Sequence, residues 1–278
     1  MESLEAELAR ARDLDPAELA DSIESIGFEC TRCGGCCTGY APTEPGGAPA
    51  GEGVGERAAD EGAEAGVNDD SDGDDRPTGE ADREPHTATV FPDEVRRVAD
   101  AAEAEFGEAY DWRDVARPMP FGLSEDGDGG LSGETFEWAL ATDDCGDCTF
   151  YEEVDGRGAC AVHDARPLIC QTYPFSVGSE GESRRDDGGG LGATEPMGGV
   201  VEREGLVRAH ECEGLGRDIS REDAEELAAA LKERAVRELE EAIGVRDGYE
   251  PTDVDGVVVH DSEGQKRPDG SRVTKTNT

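Results

Sequence analysis

Phe28-Glu29-Cys30-Thr31-Arg32-Cys33-Gly34-Gly35-Cys36-Cys37 puts four cysteines into eight residues. The pattern is C-x2-C-x2-C-C. Thiolates three positions apart can grip one metal ion, and the glycines between them leave backbone N–H groups room to turn toward sulfur. A structural zinc takes four ligands at about 2.3 Å, and Fe–S clusters also use four thiolates. A lone buried cysteine is ordinarily a small apolar residue, but four this close together make a poor core segment. In an extended chain Cys36 and Cys37 point to opposite sides, so the four need not share one ion, and further ligands are expected from elsewhere. Cys145, Cys148, Cys160, Cys170 and Cys212 bring the total to nine. Cys145 and Cys148 form a second C-x2-C, and the odd total fits a complete disulfide set poorly.

Charge sets the surroundings of this motif. Of 278 residues, 68 are Asp or Glu and 26 are Lys or Arg, a net charge of −42. A phosphate-binding face must be basic, so no nucleic-acid partner is expected, and an anionic membrane surface would repel the chain. No apolar run is long enough to span a bilayer, and Met1–Arg10 lacks the basic start and apolar core of a signal peptide. The expected location is therefore cytoplasmic, where disulfides are rare and clustered cysteines point to metal or redox chemistry. Only three of the cations are lysine: Lys232, Lys266 and Lys275. Acid excess spread along the chain, with lysine almost absent, reads as adaptation to molar intracellular salt, where the Debye length is about 3 Å.

Local signals divide the chain into three parts. Residues 1–27 read as N-terminal helices. Asp15-Pro16 gives an N-cap followed by proline at the first helical position; Leu19, Ile23 and Ile26 recur at helical spacing; Gly27 suits the C-terminal cap. Residues 28–243 form the cysteine-cluster domain. Within it, residues 42–86 hold 14 Asp+Glu, 3 Arg and 14 Gly+Pro, with no Leu, Ile or aromatic residue. Such a stretch cannot bury enough apolar surface to offset chain entropy, so an acidic insertion over 41–86 is expected to be disordered. Thr87–Phe91 reads as a strand leading into a helix from Pro92 to about Phe106. Thr135–Ala141 reads as a strand, and Thr149–Val154 and Gly158–Val162 as a hairpin around Asp155-Gly156-Arg157. Glycine-acid loops are expected over about 124–133 and 178–199, with a weak strand near Val200. Ser220 caps a helix to about Ile243, stopped by Gly244. Residues 244–278 read as a polar tail with one short apolar run at Val257–Val259. The fold class implied is a small α+β domain, organised by metal, with short helices and hairpins and little regular structure.

Phe28-x-Cys30-x2-Cys33-Gly34-x-Cys36-Cys37 resembles the opening of the YkgJ-type cysteine-cluster family, a zinc- or iron-chelating domain. The resemblance continues through Cys148-Thr149-Phe150, then Cys160-x-Val162-His163-x2-Arg166-Pro167-x2-Cys170-x2-Tyr173-Pro174-Phe175, and ends at Cys212-Glu213-Gly214-Leu215-Gly216. It covers about residues 28–40 and 87–243. It implies a metal-binding protein in which Cys30, Cys33, Cys36, Cys37, Cys148, Cys160, Cys170 and Cys212 hold zinc or iron, mononuclear, dinuclear or as an Fe–S cluster. Cys145 has no counterpart in the family and reads as a spare thiol. His163 stands where many members carry Tyr, so packing or hydrogen bonding is expected of it rather than ligation; His210 lies outside the motif. A ferredoxin run would need a cysteine at position 40, which is Tyr40.

Arg166 has two readings. One sets its charge beside thiolates, and the other makes it an ion-pair partner of a nearby acid. Arg32 is expected to face solvent, and Tyr173-Pro174-Phe175 to pack in the core. Gly51-x-Gly53-x-Gly55 follows no strand, and Asp70-Ser71-Asp72-Gly73-Asp74-Asp75 lacks the glycine and glutamate of a calcium loop, so neither is a site. Two alternatives to metal chelation remain at the level of sequence. One is an Fe–S-dependent enzyme similar to flagellin lysine methylases, which carry a related cluster. The other is a thiol redox or metal-transfer protein using Cys145 and Cys148.

Overall fold

The computed structural model describes residues 3–40, 84–125, 130–178, 198–252 and 255–273. The glycine triplet and the acidic run named above lie outside them, as does the insertion from 41 to 83. In chain order the elements begin with helices α1 (Leu4–Asp13), α2 (Pro16–Ile26), α3 (Pro92–Phe106) and α4 (Trp112–Val115). Strands β1 (Ala116–Pro118), β2 (Leu123–Glu125), β3 (Leu131–Thr135), β4 (Trp138–Leu140), β5 (Tyr151–Val154) and β6 (Arg157–Cys160) follow. Then come α5 (Leu168–Thr172), β7 (Phe175–Val177), β8 (Val200–Glu204), β9 (Val207–His210), α6 (Arg221–Gly248), β10 (Val257–Asp261) and β11 (Gly264–Lys266). The class is α+β, with strands in four small sheets ordered β1-β4, β11-β10-β3-β2, β5-β6 and β7-β9-β8.

The helices start and stop where the capping chemistry directs. Asp15 accepts a hydrogen bond from the Ala17 N–H at 2.8 Å, and Gly27 closes α2 at φ +78°. Gly107 closes α3 in the left-handed conformation, and Ser220 caps α6 by accepting from the Asp223 N–H. The β5–β6 hairpin turns at Asp155 and Gly156, both at positive φ, as a two-residue turn of right-handed strand twist requires.

Two apolar cores result. In the first, Leu8, Leu19 and Ile23 of α1 and α2 pack with Leu231 and Leu239 of α6 and with Phe175 and Val207 of the β7-β9-β8 sheet. The second gathers Val95 and Val98 of α3, Val115, Trp138, Phe150, Val162 and Val259. The cysteine segments lie where these cores meet. Cys37, Cys148, Cys160 and Cys170 pack against the second core, while Phe28 and Leu215, neighbours of Cys30 and Cys212, pack against the first.

Several expectations need correction. The strand read over Thr135–Ala141 is split, β3 ending at Thr135 and β4 spanning Trp138–Leu140, and the ends of the loop read over 124–133 belong to the antiparallel pair β2 and β3. The region after Gly244 is not simply a polar tail. Helix α6 continues to Gly248, and Val257–Asp261 forms β10, parallel to β3 and antiparallel to β11, with Val258 and Val259 fully buried. Five residues with three valines suffice for a strand when both faces are covered, and the sequence distance to β3 hides the pairing. The acidic insertion also ends before 86. Tyr40 and Glu84 exchange backbone hydrogen bonds at 3.0 and 2.8 Å, and His86 is buried. Finally, Thr87–Phe91 forms only an isolated bridge, Thr89 to Ala139, rather than a strand.

Candidate metal centre

Each cysteine segment is fixed by backbone hydrogen bonds before its sulfur is considered. Gly34–Cys37 is a tight turn in which the Gly34 carbonyl accepts from Cys37 N–H at 2.7 Å and Thr38 N–H at 3.2 Å. Its start is held by the 212–216 segment: Glu29 N–H donates to Gly214 O at 3.0 Å, and Gly216 N–H to Gly27 O at 3.0 Å. A Cβ on Gly214 would collide with the Glu29 carbonyl and the Phe28 ring, so only glycine lets the segment after Cys212 lie against the backbone just before Cys30. The β5–β6 hairpin is tied to the same loop, because Gly158 N–H donates to Arg32 O at 2.7 Å. Cys148 N–H donates to Cys37 O at 2.8 Å, which brings the fourth segment in. Pro167 opens α5, on which Cys170 lies.

The turn overturns the expectation for the adjacent pair. Cys36 and Cys37 are not in extended chain, and their sulfurs lie 3.7 Å apart. Two sulfurs bound at about 2.3 Å to one tetrahedral zinc stand about 3.8 Å apart, so the pair has the spacing of one edge of such a site. Among the described residues no group of three or more His, Cys, Asp or Glu side chains is gathered in metal-holding geometry. The sulfurs therefore share a neighbourhood without forming a ready-made cage. The donor set itself, thiols supplied by several segments, fits zinc or iron.

Mutual electrostatics define that neighbourhood. The Cys36 thiol is pushed well above its ordinary range, first by its contact with Cys37 and then by burial, with Arg166 opposing. Burial pushes Cys148 up to about 11, and the Cys160 and Cys36 charges add to it. Cys170 is raised by burial and by Cys148, Cys36 and Cys160. Cys160 is raised by burial and by Cys36, again opposed by Arg166. These four thiols lie within electrostatic reach of one another. Cys212 is raised by burial and by Cys33, Cys36 and Cys30, so Cys36 acts on both sets. Burial also raises Tyr173, and Cys212, Cys36 and Cys33 push it further, so this tyrosine sits beside the second set; its hydroxyl donates to the Glu211 carbonyl.

The remaining candidates now have places. The charge of Arg166 acts on Cys36, Cys160 and Cys170, and among the described residues it makes no ion pair. Its Nε donates to His163 O at 3.1 Å, which fixes the guanidinium at the cluster edge. His163 is exposed, with Nδ1 3.4 Å from an Asp164 oxygen. His210 is buried, and its two ring nitrogens bond Ser176 Oγ at 2.9 Å and Gly198 O at 3.0 Å, which leaves neither for a metal. Arg32 is exposed, as expected, and Phe175 is fully buried against Phe28 with ring centroids 5.6 Å apart. Cys145 is exposed while Cys148 is buried, and no disulfide joins any of the nine cysteines.

His86 is the residue that sequence reasoning missed. Its Nε2 lies 2.8 Å from the Cys36 carbonyl, so it props the Cys36-Cys37 turn from behind, and Arg117 donates to its own carbonyl at 2.8 Å. The only local hint was its position just ahead of the β-branched run at Thr87. No helix among the described residues is long and apolar enough to cross a membrane. No protein-family model matches the chain, and neither the curated proteins nor the solved structures compared with it contain a match.

Proposed function

We propose that this chain is a metal-binding protein that chelates zinc or iron, the latter alone or as an Fe–S cluster, through Cys30, Cys33, Cys36, Cys37, Cys148, Cys160, Cys170 and Cys212. One observation supports the reading: the cysteine segments, far apart in sequence, pack where two cores meet, and the Cys36 and Cys37 sulfurs there stand 3.7 Å apart, the spacing of one edge of a tetrahedral site. Cys148 is buried, Cys36, Cys37, Cys160, Cys170 and Cys212 are partly buried, and Cys30 and Cys33 are exposed; in the metal-free state burial and neighbouring thiols oppose ionisation of Cys36, Cys148, Cys160, Cys170 and Cys212. A cation reverses that balance, because thiolate is the form it binds. The group of Cys36, Cys148, Cys160 and Cys170 would hold one ion, and Cys30, Cys33 and Cys212 would supply ligands to a second or extend a cluster, with Cys36 or Cys37 completing the set. The first ion would cross-link α5, the β5–β6 hairpin, the Gly34–Cys37 turn and the segment of Cys148, and the second would tie the 212–216 segment to the first cysteine cluster.

The redox alternative is weaker on the same ground. A reactive thiol needs a lowered pKa, whereas burial raises Cys148 to about 11. No observation favours a methylase over simple chelation. The resemblance to the YkgJ-type family points the same way as the cysteine geometry, and cytoplasmic location and salt adaptation belong to the same proposal. The test is thiol counting under anaerobic conditions in molar KCl. Native protein should expose one alkylatable cysteine, Cys145, and chelator treatment should release the other eight. Identical alkylation with and without chelator would refute the proposal.

A further inference from the structure

Away from the cysteines, a cavity of about 360 Å³ opens between the Thr89–Phe91 segment, the β1–β2 connection, β4 and the C-terminal half of α6. None of the eight proposed ligands lines it. Its size lies within the range of small-molecule sites, roughly 300–1,000 Å³. Its walls include Phe91, Phe121, Phe136 and Trp138, four aromatic rings in a chain with only 7 Phe, 5 Tyr and 2 Trp. Phe121 is 71% exposed and Phe136 45% exposed, an unusual display of apolar surface on so acidic a molecule.

The charged groups at the wall are Glu137, Glu238, Glu241, Arg246 and Asp261, and they are not equivalent; Glu137 is itself engaged. Glu238 is held by Arg234 at 2.7 Å, and Asp261 by Lys266 at 2.7 Å and by the Trp138 indole N–H at 2.9 Å. Arg246 is engaged by Glu5 and Asp247 at 2.6 and 2.9 Å. Glu241 accepts hydrogen bonds from Ser262, the backbone N–H at 2.7 Å and the side chain, and among the described residues has no cation within ion-pair distance. Burial and the Asp261 charge push its carboxyl up, against the Ser262 hydrogen bonds and the Lys266 charge, so it is the wall carboxylate held by hydrogen bonds rather than by a contacting cation.

We propose that this cavity binds an organic ammonium ion, with an aromatic or apolar body among Phe91, Phe121, Phe136 and Trp138 and its positive charge against Glu241. Aromatic faces attract cations through their quadrupoles, and a carboxylate beside them supplies the counter-charge. An anionic ligand would meet that carboxylate at contact distance, where salt screens least. A neutral ligand would gain nothing from it. The site does not depend on the metal centre.

The test uses the full chain in molar KCl, with phenethylammonium and its neutral counterpart 2-phenylethanol as probes, read by tryptophan fluorescence and calorimetry. Phenethylammonium should bind about tenfold tighter or better than the alcohol, a difference of about 1.4 kcal/mol. Glu241→Gln should bring the two within about threefold by weakening only the ammonium. Phe121→Ser, at a side chain too exposed to support the fold, should weaken both probes while leaving the melting temperature unchanged. Absence of binding by either probe at millimolar concentration would overturn the proposal. So would equal affinity for the two probes, or an unchanged preference in Glu241→Gln.

Discussion

Arg166 sits at the edge of a thiol group whose members all resist ionisation, and it is the nearby charge that opposes that resistance. Its removal leaves the thiols higher in pKa, so protons compete longer with metal as pH rises. Arg166→Gln is therefore expected to move the pH of half-maximal metal loading upward, measured by metal retention across a pH series; a downward or null shift would return Arg166 to the role of a surface cation. Gly214 makes a prediction of another kind. Forcing a Cβ into the Glu29 carbonyl should cost about 1–3 kcal/mol as overpacking does, and it should displace Cys212. Gly214→Ala should thus lower both the denaturation midpoint and the metal content, while Gly216→Ala, where a Cβ meets nothing within 4 Å although φ is +73°, should leave metal content unchanged. At this scale the ligand candidates were readable because cysteine spacing is local. His86 was not, because its contact with Cys36 spans 50 residues and it stands at the end of the stretch that composition marks as an acidic insertion.

The elements divide by how local their causes are. Helices α1, α2, α3 and α6 announce themselves through caps and helical spacing of apolar residues, and the β5–β6 hairpin through its turn residues. The other strands are three to five residues long, too short for an alternating pattern to rise above chance. Strands β4, β7 and β9 are buried along their whole length, so no alternation exists to be seen. Strand β10 is the clearest case, since its place beside β3 depends on a partner more than 100 residues away. A charged residue at its centre tests that placement. Val259→Asp would bury an unpaired charge in the second core and should cost more than about 3 kcal/mol, read from denaturant unfolding. An unchanged midpoint would restore the reading of this region as a polar tail.

At the scale of the molecule, two negative fields have to be settled, that of the surface acids and that of the thiols once ionised. The surface charge of −42 repels itself, and molar salt screens it, so the melting temperature should rise between dilute buffer and molar KCl. The thiols act in the metal-free protein through linkage. Cys148 loses its proton near 11 when folded, against an ordinary value of 9.0 when unfolded. Between these values the folded state holds more protons than the unfolded one, so the free energy of unfolding declines as pH rises. The contribution is fully present below about pH 9 and is lost by about pH 11. Metal-free protein should accordingly lose stability across that window, and metal-loaded protein, whose thiols are already ionised, should not; thermal melts of both forms from pH 7 to 11 make the comparison. The central claim, that the eight cysteines hold a metal, is tested most directly by anaerobic purification in molar KCl followed by metal and acid-labile sulfide analysis with a visible spectrum. The account predicts at least one zinc or iron per chain, lost together with stability when Cys36 and Cys170 are both changed to serine. A folded, colourless protein without stoichiometric metal, unaffected by those substitutions, would contradict it.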